Sequence, residues 1–254
     1  MLSYLAEQIG AEFAAALDTV TPEGLLAHMD SQGVEKAVLL AEYSPKTTGV
    51  IPNEFTSGFC SESERLIPFG SVDVDSRVPT DEQVEVCVTQ MGCKGIKLVP
   101  SYIGRFPDDP CLQPVYATAR DLGVPVMFHT GTSLFPGSRI RYADPLLLDG
   151  IADEFSDLVI IMCHAGRPFW YREAEWMLNR HKNMMVDISG IPPKQIPIVL
   201  PKMDKFRDRF IFGSDWPLSP PVAQLVKQVT ELPLSPSTIE AVLWENGARL
   251  LKET

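Results

Sequence analysis

The chain has 254 residues and a formal charge of −11, from 22 Lys and Arg against 33 Asp and Glu. A surface of that sign repels phosphate backbones, and no basic cluster reverses it locally, so a sequence-independent grip on nucleic acid is excluded. Hydrophobic residues at 45% and charged residues at 22% describe an ordinary globular balance, and the longest apolar run, from Leu158 to Cys163, is too short to cross a bilayer.

The first stretch places Leu2, Leu5, Ile9, Phe13 and Leu17 at helical spacing, with Glu7 and Glu12 interrupting the apolar face. It reads as an amphipathic helix rather than a secretion signal. Thr21-Pro22-Glu23 then supplies a cap residue, a first-turn proline and a first-turn acid for a helix that Gly33 ends. Strands are expected over 36–40, 66–72, 95–99, 125–129, 158–163, 184–188 and 209–212. Helices are expected over 53–63, 80–91, 112–122, 145–155, 169–180 and 194–206, and again over 221–230 and 236–251. The strands are nearly continuous apolar runs, as parallel strands covered on both faces should be. Alternation with helices then argues for an α/β chain with right-handed crossovers. Five cysteines without a C-x-x-C pair suit reduced thiols in a cytoplasmic protein.

Seven strands, each followed by a helix, point to a TIM-type (β/α)8 barrel in which the first strand is missing, with 1–254 as a single domain. A doubly wound open sheet is the competing architecture, but no glycine-rich phosphate loop follows an early strand. Polar residues end several of the apolar strands: Lys97 after Gly95-Ile96, His129 after Val126-Met127-Phe128, and His164 after Ile161-Met162-Cys163. Asp215 follows Ile211-Phe212-Gly213-Ser214. Strand C-termini in a barrel converge on one mouth, and burying lone imidazoles there without partners is costly. One strand-end histidine is ordinarily a hydrogen-bonded core residue; two with an aspartate at equivalent positions read as a site. Asp187 also ends a strand and is expected to orient a neighbour or cap an amide. Glu42 ends the first strand, and both a structural and a functional reading stand. His28 and His181 are read as structural.

The segments His129-Thr130-Gly131, His164-Ala165-Gly166-Arg167 and Gly213-Ser214-Asp215-Trp216-Pro217 resemble the amidohydrolase-related family of the amidohydrolase superfamily. That branch contains aminocarboxymuconate-semialdehyde decarboxylase, resorcylate decarboxylases and pyrone-dicarboxylate lactonase. Gly95-Ile96-Lys97-Leu98 is similar to its fourth-strand segment, and the likeness runs from about Thr21 to Leu251. The resemblance implies that His129 is a fifth-strand metal ligand. His164 is implied to be a sixth-strand histidine that ligates metal or holds water or substrate, and Asp215 an eighth-strand ligand and general base. It also implies one divalent ion, zinc first and manganese as the alternative. The H-x-H or E-x-H pair that family members carry on strand one is absent from this sequence. The missing pair and the missing strand coincide on one segment, expected upstream of Met1 and removed by truncation or by genuine loss.

The chemistry implied is hydrolysis of a small, carboxylated cyclic amide, lactone or ester. A metal-bound water becomes available as hydroxide near neutral pH, Asp215 takes its proton and His164 stabilises the oxyanion. Lys97, Arg167 and Arg139, with Arg141 nearby, are candidate partners for a substrate carboxylate. Trp216, Phe135, Phe169 and Trp170 are candidates for the pocket wall. Two alternatives remain: non-oxidative decarboxylation of an aromatic or muconate-type acid, and a catalytically degenerate barrel that binds or scaffolds. The expected partner is a small molecule, with neither nucleic acid nor membrane involved and self-association open.

Overall fold

The structure, a computed structural model, describes residues 20–252. The helix expected over 2–17 lies outside them. Helix α1 (Pro22–Gln32) starts as its sequence dictates: the Thr21 hydroxyl accepts the Gly24 N–H, Pro22 fills the first turn, and Gly33 closes the helix at φ 67°. Strand β1 (Ala37–Leu40) follows, then a small antiparallel hairpin of β2 (Glu42–Ser44) and β3 (Gly49–Ile51). Next come α2 (Asn53–Cys60), β4 (Leu66–Phe69), α3 (Thr80–Thr89), β5 (Ile96–Leu98), a short α4 (Pro100–Ile103) and α5 (Gln113–Asp121). The chain continues through β6 (Val126–His129), α6 (Asp149–Glu154), β7 (Ile160–Cys163), α7 (Tyr171–Arg180), β8 (Met184–Asp187), α8 (Ile196–Val199) and β9 (Phe210–Ile211). Helices α9 (Val222–Thr230), α10 (Pro236–Glu240) and α11 (Asn246–Leu251) complete it. No described helix is long and apolar enough to cross a membrane.

The seven expected strands are all present and all parallel. β1 pairs with β4, a bridge from Gly70 to Ile96 joins β4 to β5, and β5 to β9 pair in chain order. Sequential parallel strands with helical crossovers are the wall of a TIM-type barrel. The two faces of that wall separate cleanly. Ile96, Leu98, Val126, Phe128, Ile160, Met162, Met184, Val186 and Phe210 join the shell between sheet and helices. Ile67, Phe69, Met127, Ile161, Cys163, Met185 and Ile211 form a second cluster, on the lumen side. Fully burying side chains such as Phe128 and Phe210 contributes about 1.5–3 kcal/mol each.

Between β9 and β1, no strand among the described residues completes the wall. Val38 stands opposite Ile67 and Leu40 opposite Phe69, so both belong to the lumen face, yet they are 38% and 37% exposed against 4% and 1% for their partners. Among the described residues, the barrel is therefore open along one flank of β1.

Two sequence expectations change. The hairpin β2–β3 goes unseen because three-residue strands are shorter than any periodicity can register. The helix expected over 194–206 breaks into a 3-10 turn (Pro193–Gln195), the one-turn α8, and a second 3-10 stretch (Asp204–Arg209). Pro201 forces the break: the residue before a proline is driven out of the helical region, and Leu200 sits at φ −129°, ψ 62°. At the C-terminus, α10 runs through a π turn into α11, where the fully buried Asn246 donates to the carbonyls of Arg207 (2.6 Å) and Phe210 (2.7 Å). That pair fastens the short β9 to the helix layer.

Candidate active site

His129 is the last residue of β6, and His164 follows β7 directly, so the parallel register carries both to the C-terminal end of the wall. Their rings lie 5.0 Å apart between centroids, in an edge-on arrangement. Tyr102 packs its ring 5.2 Å from His129, and its hydroxyl donates to Ser133 Oγ at 2.8 Å. Both imidazoles are buried. Among the described residues His129 Nε2 has no hydrogen-bond partner, whereas His164 Nδ1 lies 3.0 Å from the Ser189 carbonyl and 2.9 Å from its Oγ.

Backbone conformation sets these directions. His164, Ala165 and Gly166 all take positive φ (62°, 49° and 70°), and Asp215 does so at 60°. For non-glycine residues such conformations cost on the order of 1 kcal/mol or more each and persist only where the surroundings enforce them. Here the enforcement is visible. Thr130 Oγ1 donates to the Cys163 carbonyl at 2.5 Å and accepts the Gly166 N–H at 2.9 Å, pinning the turn after β7 to the end of β6. Gly131 completes the crossing, since a Cβ there would stand 2.3 Å from the Arg167 carbonyl oxygen. Arg167 is half-buried, and its Nη1 donates to the Gly190 carbonyl at 2.8 Å.

Electrostatics follow from burial. Desolvation, then the neighbouring His164 and the Lys97 cation, hold His129 well below its ordinary pKa, with Asp215 opposing them. Desolvation, with Lys97 and Arg167, brings His164 down to about 3. Both rings are therefore neutral at pH 7. Lys97 is buried in the lumen and donates to Cys163 Sγ at 2.9 Å. Burial alone would lower it, but Cys163, Asp187 and Asp215 outweigh that and raise it. Burial pushes the Cys163 thiol up to about 12, so the sulfur accepts as a neutral group and the carboxylates balance the charge. Asp187 is buried and raised by desolvation, against the hydrogen bonds it accepts from Ser189.

The remaining sequence candidates divide. Asp215 is exposed at the same rim, close enough for its charge to act on His129, Lys97 and Tyr102. Trp216 packs instead into the cluster of α1, β1 and α2, its ring 5.4 Å from His28. Arg139 is exposed and lies, with Arg141, beside the Tyr142 phenol. Phe135 meets Tyr102 edge-on at 5.9 Å, while Phe169 is largely exposed. Glu42 serves the hairpin, where its carboxylate accepts from Thr48. His181 pairs with Asp149 at 2.7 Å. Ser189 and Tyr102, both in contact with the imidazoles, went unrecognised in the sequence. The signal for Ser189 was an Asp-x-Ser-Gly run directly after a buried strand.

A divalent ion finds part of a donor set here. The orphaned His129 Nε2 beside a second neutral imidazole suits a metal, but zinc sites ordinarily take three or four protein ligands. Among the described residues no three His, Cys, Asp or Glu side chains converge closely enough to hold one. The residues present fall short of a complete metal site. Cavities of about 440 and 280 Å³ open at the opposite, N-terminal end of the strands, lined by Val159, Met185 and Arg249 among others, and none of the site residues borders them.

The amidohydrolase family profile matches residues 13–252. A curated 2-amino-3-carboxymuconate-6-semialdehyde decarboxylase from Dictyostelium discoideum is 20% identical over 161 residues. That alignment covers 56% of this chain and 45% of the relative, so the chain matches less than half the relative's length. Among solved structures, an uncharacterized TIM-barrel protein from Bordetella bronchiseptica superposes with a TM-score of 0.79 at 24% identity, covering 91% of this chain and 82% of that one. A 5-carboxyvanillate decarboxylase from Novosphingobium aromaticivorans, complexed with manganese and 4-hydroxy-3-methoxy-5-nitrobenzoic acid, gives a TM-score of 0.67 at 21% identity, covering 90% and 79%. At these identities the structural likeness carries the fold.

Proposed function

The chain belongs to the amidohydrolase family, and on that footing we propose that it is a hydrolase acting on a small, carboxylated cyclic amide, lactone or ester. One observation carries the reading: two neutral, buried imidazoles in ring contact, one with an unpartnered Nε2, beneath an exposed carboxylate at the same rim. Hydrolysis starts by taking a proton from water. A site whose imidazoles are held neutral at pH 7 offers acceptors for that step. In this reading the orphaned His129 Nε2 holds the attacking water, and Asp215 takes its proton and returns it to the leaving group. The cations Lys97 and Arg167 draw the substrate carboxylate toward the mouth, Arg167 through a planar fork already oriented by Gly190. Of the expected ligands, His129 and His164 offer two nitrogen donors to zinc or manganese, short of the three or four protein ligands zinc ordinarily takes, so no step here passes through an ion.

Decarboxylation is the second reading, favoured by the activities named for the Dictyostelium and Novosphingobium relatives. It ends with delivery of a proton to carbon, for which neutral imidazoles are poorly charged. The test is a panel of pyrone, lactone and aromatic acids, assayed for ring opening and for CO₂ release with zinc or manganese added. Ring opening that falls at least about 100-fold in both His129→Asn and Asp215→Asn is expected. CO₂ release without ring opening replaces the first reading with the second. Silence across the panel with metal present leaves a barrel that binds without catalysing.

A further inference from the structure

Asp187 and Ser189 have no part in the chemistry above, yet every polar atom of the pair is committed. The Ser189 carbonyl, 3.0 Å from His164 Nδ1, can only accept, so Nδ1 carries a hydrogen. Ser189 Oγ lies 2.9 Å from the same nitrogen and must accept as well. Its own hydrogen then goes to Asp187 Oδ2 at 2.5 Å, while Asp187 Oδ1 accepts the Ser189 N–H at 2.9 Å. The reverse assignment fails: with Nδ1 as acceptor, the carbonyl would face a lone pair and the carboxylate would lose its hydroxyl donor.

Packing makes room for Asp187 here. A Cβ on Gly213 would stand 2.2 Å from Asp187 Oδ1 and 3.0 Å from Ser189 Cβ, so the absence of a side chain at 213 is what lets the carboxylate sit at this end of the wall. The ends of β7, β8 and β9 thus interlock around one proton path.

We propose that Asp187 and Ser189 are positioning residues, a relay that holds the His164 ring in its Nδ1–H form and presents Nε2 to the mouth as an acceptor. The proposal rests on the reading of His164 as a site residue. It assigns His164 a role opposite to oxyanion stabilisation, because a neutral Nε2 with a lone pair cannot donate to a developing oxygen anion. Hydrogen-bonded partners behind a working histidine commonly fix its tautomer, and losing them costs about 10–100-fold in activity.

The test is long-range ¹H–¹⁵N correlation on the full chain labelled with ¹⁵N-histidine, at pH 7 with a chelator present, with His164→Gln identifying the resonance. Wild type is expected to show His164 protonated on Nδ1 and bare on Nε2. Asp187→Asn puts an amide donor where Oδ2 accepted, turning the Ser189 hydroxyl hydrogen toward Nδ1. A population protonated on Nε2 should then appear, with kcat/KM down by about 10–100-fold. Ser189→Thr keeps the hydroxyl and should leave the wild-type spectrum unchanged. A wild-type His164 protonated on Nε2 overturns the relay by itself, even if Asp187→Asn fails to fold. So does an Asp187→Asn spectrum identical to wild type. Absence of ring opening together with the expected tautomer would remove the hydrolase reading and leave the relay standing.

Discussion

Lowering the pH should destabilise this chain through His164 before most of its carboxylates titrate. In the unfolded chain the imidazole takes up a proton near its ordinary value of 6.5; in the folded chain, burial beside Lys97 and Arg167 defers protonation to about 3. The folded pKa is the lower one, so the stabilisation is fully present above pH 6.5, shrinks as pH falls, and is gone below about 3. The interval is 6.5 − 3 = 3.5 units, worth about 5 kcal/mol at ~1.4 kcal/mol per unit. Over the accessible window from pH 6.5 to 5 the loss is about 2 kcal/mol for this residue, against a total stability of roughly 5–15 kcal/mol. His129 adds to it in the same direction. Urea midpoints at pH 7.5, 6 and 5, with a chelator present, should fall steeply for wild type and less steeply for His164→Gln. Carboxylate titration is common to both chains and cancels in the difference. Midpoints that run parallel for the two between pH 7.5 and 5 would refute the argument that a buried neutral imidazole opposes acid.

Gly213→Ala should cost about 1–3 kcal/mol, read as a lower urea midpoint, because its Cβ would lie 2.2 Å from Asp187 Oδ1 and one of the two strands must yield. Asn246→Ala leaves the buried Phe210 carbonyl without its donor, and a loss of about 1–3 kcal/mol is expected in the same assay. The open flank of β1 makes a matched pair. Val38→Thr, at 38% exposure, should change stability by less than about 0.5 kcal/mol. Val126→Thr, at 0%, buries a hydroxyl and should cost about 1–3 kcal/mol. Equal losses at both positions would mean that Val38 is covered in solution.

Much of the architecture was legible in the chain itself. Continuous apolar runs such as 160–163 and 184–186 can be buried on both faces only in a covered parallel sheet, and a capped helix announces itself in Thr21-Pro22. The polar residues ending those runs marked the rim where His129 and His164 meet. The hairpin β2–β3 escaped because strands of three residues carry no measurable period. The helix expected over 194–206 breaks because Pro201 drives Leu200 out of the helical region, a local constraint that apolar spacing does not register.

What the sequence by itself determined was everything that depends on near neighbours: the alternation of elements, the sign of the charge, the residues that end strands. The tertiary structure decided what depends on contacts far apart in the chain. Ser189 meets His164 across 25 positions, Lys97 meets Cys163 across 66, and Trp216 lies against His28 instead of His129 or His164. Local periodicity sets which face of an element is buried, but which side chain from another strand completes a hydrogen bond there is fixed only when the strands pair in register and their turns close. A proton's place on an imidazole belongs to that second kind of information.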